Sequence, residues 1–224
     1  MQLSDMRTRV GQRLNESAGP VFYTAAEINA AVNEAQRFMV FLTLCLEITA
    51  TWTVSGGTTF THMLNVFSDW ICPLRITDST GAKIRPSTLA ELGALDPSWI
   101  ASAGNTVRYA SMGADFIGLY QQNAGSQTLT VTYAQAPAPL VLDTDVSAIP
   151  AEYHPRLVDY GIYRCRQVEG GQEFAKALKY LESFFGGVQH LSRYVRDRNN
   201  GAKYDKVPYE LTNEDVAKLV GGQQ

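Results

Sequence analysis

Apolar residues recur every three or four positions at the start of the chain. Leu3, Met6, Val10 and Leu14 form one narrow stripe, which predicts a helix from Leu3 to about Leu14. The stretch 15–20, NESAGP, closes it with a Gly-Pro breaker. Thr24 is the N-cap candidate of a second helix, and Glu27, three residues on, completes a capping box. Tyr23 and Ile28 are spaced for a hydrophobic staple. Ile28, Ala31, Val32, Ala35, Met39, Leu42 and Leu46 continue one face, and from Phe38 onward Val40, Phe41, Leu44 and Cys45 add a second. A helix apolar on all sides needs cover on several sides. Another subunit is a natural source, so Phe38, Phe41 and Leu44 are the candidate subunit interface.

The period then changes from helical to alternating. TWTVSGGTTFTHML, CPLRITDSTGAKIRP, TVRYASMGADFIGLY and TLTVTYAQAP read as six or seven strands within Thr51–Pro137, with a short helix or turn at TLAELGALDPSWI. Leu129, Val131 and Tyr133 alternate with threonines, as in a strand with one buried and one wet face. A small antiparallel sandwich or barrel follows. Helical periodicity returns after Pro150 with Leu157, Val158, Gly161, Ile162, Cys165 and Val168. Gly170-Gly171 break it, and Phe174 to Val195 carry the next stripe, where Gly186-Gly187 imply a kink or a close helix contact. From Asn199 the periodicity fades into an extended tail, with TNEDVAKLV as a weak terminal helix.

The predicted class is α+β. A four-helix bundle (1–50 and 148–198) carries a β insertion with its return linker (51–147) between helices two and three, and an extended C-terminal tail (199–224) follows. Leu142–Pro150 is the return linker.

The 224 residues suffice for a sizeable core, and a net charge of -3 argues against a protein that coats nucleic acid. Cys45, Cys72 and Cys165 lack metal-ligand spacing and read as buried reduced thiols of a reducing compartment. The charged N-terminus has no secretion-signal core. The longest apolar run is cut by Glu47, so no membrane association is expected. These readings place synthesis in the cytoplasm.

Candidate chemistry is sparse. No phosphate loop, zinc-protease helix or nucleophile elbow appears. His62 reads as a sheet residue, His154 as a surface or capping residue rather than a base working with Asp159 or Glu152, and His190 as a residue on a polar helix side. Asp143, Asp145 and Glu152 fit a solvated linker better than a calcium loop. No catalytic residue, metal or cofactor is expected. Two features remain. Arg193, Arg196, Arg198 and Lys203 form a basic segment, for DNA or an acidic partner. Tyr204, Lys206, Val207, Tyr209 and Leu211 give the tail anchors that a free tail seldom carries, and Pro208 stiffens it for docking as an extended segment.

Taken in order, LSDMRTRVGQRLNE, VFYTAAEINAAVNEAQR, a β insertion and LTVTYAQAPAPLVLDTDVSAIPAEYHPRLVDYGIYR resemble the head–tail adaptor (connector) proteins of tailed bacteriophages, the larger adaptors of short-tailed phages above all. That resemblance implies a structural virion protein and no enzyme. It implies a dodecameric ring that docks on the portal through the tail residues, extends the DNA channel with transient non-specific contact to passing DNA, and bears tail or nozzle proteins. The rival reading is an α+β regulator that uses residues 193–206 on DNA. A hydrolase is disfavoured because no nucleophile–base pair appears.

Overall fold

The computed structural model describes residues 1–14, 22–122, 124–169 and 171–221. Among them the order is α1 (Leu3–Arg13), α2 (Ala25–Thr43), β1 (Glu47–Val54), β2 (Phe60–His62), β3 (Trp70–Thr77), β4 (Lys83–Ser87), α3 (Leu89–Leu95), β5 (Arg108–Met112), β6 (Phe116–Tyr120), β7 (Gln127–Gln135), α4 (His154–Glu169), α5 (Gly171–Gly201) and α6 (Asn213–Gly221). The fold is α+β, with six helices and one curled seven-stranded sheet. It divides into a helical unit (Met1–Leu46, Pro137–Arg198, Pro208–Gln224) and a sheet unit (Glu47–Ala136, Asn199–Val207). The breaker expected at 15–20 and the first glycine of the 170–171 pair lie outside the described residues.

In the helical unit, local chemistry sets the helix ends. Thr24 caps α2: its hydroxyl accepts the Glu27 N–H at 3.2 Å, and Glu27 Oε2 accepts the Thr24 N–H at 2.8 Å. α2 stops sooner than its apolar pattern. Leu44 turns left-handed at φ 51°, and β1 already begins at Glu47. A non-glycine residue in that region is strained, so the turn out of α2 opposes local preference. Gly161 of α4 lies against both preceding helices: a Cβ there would stand 3.1 Å from Val10 Cγ2 and 3.6 Å from Val32 Cγ2. Gly187 likewise faces Arg156, whose Cγ would lie 2.5 Å from an added Cβ. Of the Gly186-Gly187 pair, Gly187 therefore marks a close helix contact, whereas a Cβ at Gly186 would meet nothing within 4 Å, inside an α5 that runs without a break.

The return linker and the residues that lead into it are fastened rather than loosely solvated. Asn33 of α2 donates to the Leu140 carbonyl at 2.9 Å and accepts the Leu140 N–H at 2.7 Å, and Gln36 donates to the Ala138 carbonyl at 2.9 Å. The carbonyls of Asp145 and Asp143 accept the Leu3 and Ser4 N–H groups at 2.8 and 3.1 Å. Those are unpaired donors of the α1 start, which would otherwise need water.

The sheet runs β1-β7-β3-β4-β5-β6-β2. The number of strands agrees with the alternation in the sequence, but the pairing departs from an all-antiparallel sheet. β4 and β5 are parallel, and β1 and β2, separated only by the Gly56-Gly57 turn region, lie on opposite edges. The α3 crossover explains the parallel pair, since a chain that leaves β4 through a helix can return in the same direction. Trp52, Trp70, Ile76, Ile84, Tyr109, Leu129, Val131 and Tyr133 lie in the main core of this unit, and Leu92, Trp99, Ala110 and Tyr120 form a smaller one.

Candidate functional site

The stretch after α5 is not a free extended tail. α5 persists through Gly201, and Lys203 reverses the chain at φ 55°. Within the sheet unit the Asp205 N–H donates to the Leu74 carbonyl at 2.7 Å. The Asp205 carboxylate, 4% exposed, meets Lys83 Nζ at 2.6 Å and accepts the Tyr109 hydroxyl at 3.0 Å. Lys83 also donates to the Lys203 carbonyl at 2.9 Å. Burial first, and Asp205 second, push the Tyr109 hydroxyl well above its ordinary range, so it remains a donor. Within the helical unit, Gln189 donates to the Leu211 carbonyl at 2.8 Å and Leu211 is buried. Thr212 and Asp215 then cap α6, the terminal helix expected from TNEDVAKLV. Sequence reasoning missed these anchors because an isolated aspartate in a polar stretch carries no periodic signal.

The candidate residues separate accordingly. Leu211 is buried and Tyr204 half-buried, whereas Lys206, Val207 and Tyr209 face outward, Tyr209 at 69% exposure. Arg193 and Arg196 both meet Glu210, Arg193 at 3.5 Å, so part of the basic segment is neutralised by the chain itself. Arg198 also engages a partner, while Lys203 is exposed. At the proposed interface, Phe41 is 53% exposed. Phe38 stacks on Phe184 at 6.0 Å and meets Phe185 and Tyr160 edge-on, and Leu44 is half-buried at its left-handed turn. Of these three, Phe41 is the one open to a neighbour.

The remaining candidates are structural. His154 is not a surface residue: it is buried, its Nε2 lies 2.7 Å from the Ile149 carbonyl, and burial lowers its pKa. Asp159 accepts Arg13 at 2.7 Å and the Ser183 hydroxyl at 2.7 Å rather than serving His154. His190 pairs with the Tyr153 hydroxyl at 2.7 Å, and His62 lies against Phe116 at 4.7 Å. Asp143 holds Arg7 through two bonds of 2.8 and 3.0 Å, and Asp145 accepts the N–H groups of Val141 and Leu142. Cys45 and Cys165 are buried, whereas Cys72 is only partly so; burial pushes its thiol up to about 11. Among the described residues no helix is long and apolar enough to cross a membrane.

The family model for the SU10 adaptor protein matches residues 1–204, and the chain belongs to that family, a phage head–tail adaptor type. It is thus a structural virion component rather than a member of an enzyme class, and the family implies interaction with the phage portal and tail proteins. The match ends at Tyr204, so Lys206, Val207, Tyr209 and Leu211 lie beyond it. No curated protein matches the chain.

Proposed function

We propose that this adaptor forms a dodecameric ring that docks on the portal of a short-tailed phage, continues the DNA channel and carries the tail or nozzle proteins. The observation that carries this reading is the family match over residues 1–204. Two surfaces support it. Phe41 offers a large exposed apolar side chain near the end of α2, suited to a neighbouring subunit. Val207 is exposed in the sheet unit and Tyr209 in the helical unit, and each offers an apolar side chain suited to a partner such as the portal.

Native mass measurement, with and without portal, tests the reading. A multimeric ring is expected at least when portal is present, and a monomer in its presence overturns the proposal. Phe41→Asp should leave melting unchanged and abolish the ring, because the side chain is already in water. Val207→Ala with Tyr209→Ala should weaken co-sedimentation with portal-bearing capsids; unchanged co-sedimentation moves docking elsewhere.

A further inference from the structure

The sheet has two edges, and they differ. β2 ends one side with three residues, while β1 ends the other with eight, Glu47–Val54. β1 pairs with β7 over all eight positions without a register shift. Natural edge strands are shielded by proline, lysine, a bulge or shortness. EITATWTV has none of these, and its one charge, Glu47, stands at its start. The charged rungs of the sheet lie elsewhere, as where Arg85 of β4 faces Arg108 of β5.

Which backbone groups of β1 face outward follows from two contacts. The Thr49 and Thr132 hydroxyls meet at 2.9 Å, the close approach of a rung whose two backbones do not bond to each other. The Ala136 N–H donates to the Asp69 carbonyl at 2.7 Å, just before β3. Even-numbered residues of β7 therefore turn their backbone groups toward β3, and odd-numbered ones toward β1. Leu129 and Val131 thus bond Trp52 and Ala50, and Thr49, Thr51 and Thr53 point their N–H and C=O groups away from β7. All three threonines are exposed, and among the described residues no backbone group of another segment reaches them.

An unpaired row of that kind selects its own ligand. Donors and acceptors recur along it at two-residue steps of roughly 6.8 Å. Another extended polypeptide repeats them at that spacing, which is the basis of strand addition. The two faces of β1 define the rest. Thr49, Thr51 and Thr53 stand opposite Thr132, Thr130 and Thr128 on the solvent face, so hydroxyl-bearing residues continue those rungs. On the core face Trp52 and Val54 are buried, but Ile48, at the open edge, is 40% exposed and needs an apolar neighbour.

We infer that the open edge of β1 takes an added strand from another protein, an extended, uncharged segment in which apolar and hydroxyl-bearing residues alternate. Among the described residues, a second copy of the chain offers β1 itself or the three-residue β2 as an edge. Two β1 edges pair about a two-fold axis and close at two copies. The choice of a foreign strand over a second copy rests on the adaptor reading, which requires a larger ring.

The probe is a labelled peptide of the β7 sequence, QTLTVTYAQ, which has the required alternation and already matches β1 on its other side. Its anisotropy should rise saturably with the full chain. In amide exchange the free protein should show Thr49, Thr51 and Thr53 exchanging fast and Ala50 and Trp52 slowly. The peptide should slow the three threonine amides at least about tenfold. N-methylation of the peptide at its three threonines removes the donors that face β1 and should abolish binding. Thr51→Pro, which an edge strand tolerates where its N–H faces water, should weaken binding about tenfold. Absent peptide binding, protection of other amides instead, or equal binding of the N-methylated peptide overturns the inference. Threonine amides already protected in the free protein, with a mass that doubles as concentration rises, overturn it in favour of self-pairing. Native mass with portal is read separately: a chain that stays monomeric there yet binds the peptide sinks the ring reading and leaves the strand site standing.

Discussion

The two units place their arginines differently. In the helical unit Arg7 meets Asp143, Arg13 and Arg156 meet Asp159, Arg164 meets Glu34, and Arg193 and Arg196 meet Glu210. Several of these pairs join segments more than a hundred residues apart, so the charges fix helices against helices and against the linker. In the sheet unit Asp205 pairs with Lys83, and other carboxylates serve loops and caps. Asp69 accepts the Tyr133 hydroxyl, Glu91 caps α3 and Asp96 holds Ser98 and Ser102. Among the described residues Arg75, Arg85 and Arg108 have no carboxylate partner. Backbone ladders already fix the strands, so these arginines are not needed as ties between elements. Helices have no inter-element ladder, and side chains must do that work.

The difference can be tested from the strongest effect downward. Gly161→Leu should cost the helical unit about 3 kcal/mol, because new methylenes would enter the space of Val10 and Val32. The urea midpoint followed at the helical dichroism band measures it, and a shift below about a third of that would mean that the helices can separate freely. Asp159→Ala should cost about 2 kcal/mol. It removes one acceptor from Arg13, Arg156 and Ser183, but the arginines are half exposed, which limits the loss. Arg85→Gln with Arg108→Gln should change stability by no more than about 0.5 kcal/mol, in the stabilising direction, as repulsion is relieved. A loss as large as that of Asp159→Ala would erase the contrast. The smallest effect concerns acid. The Arg7 hydrogen bonds hold the Asp143 carboxyl below its usual range. Its contribution is present above the unfolded value near pH 4 and is lost as pH falls through the lower folded value. Asp143→Asn should make the acid limb of the melting curve slightly shallower, and an unchanged limb would show that the pair adds nothing.

The helical elements were largely legible because each carries its own signal. Thr24 and Glu27 announce a start, and period 3.6 follows the buried stripe. The end of α2 was not, since Leu44, Cys45 and Leu46 continue the apolar pattern while the backbone has already turned at Leu44. Strand number could be read from alternation, but strand order could not. The β1 to β2 connection looks local, yet each pairs with a partner far along the chain, Thr51 with Thr130 and Thr61 with Ile117. The basic segment drew attention because its charges are contiguous. Arg75, Arg85 and Arg108 were overlooked because they come together only through the ladder. The traces they leave are three arginine–apolar neighbours in RI, IR and RY.

The Asp205 anchor also sets a timetable for biosynthesis. Lys83 and Tyr109 find their carboxylate only when residues near 205 have been made, although the last strand ends at Gln135. At ordinary elongation rates of about 5–20 residues per second, the interval from 136 to 207 lasts roughly 4 to 14 s. During that time the nascent sheet carries Lys83 unpaired and the Tyr109 hydroxyl without its acceptor. The codons for residues 199–207 thus complete a unit whose strands were translated well before them, and a ribosome stalled near codon 200 would hold a chain with every strand but no clasp.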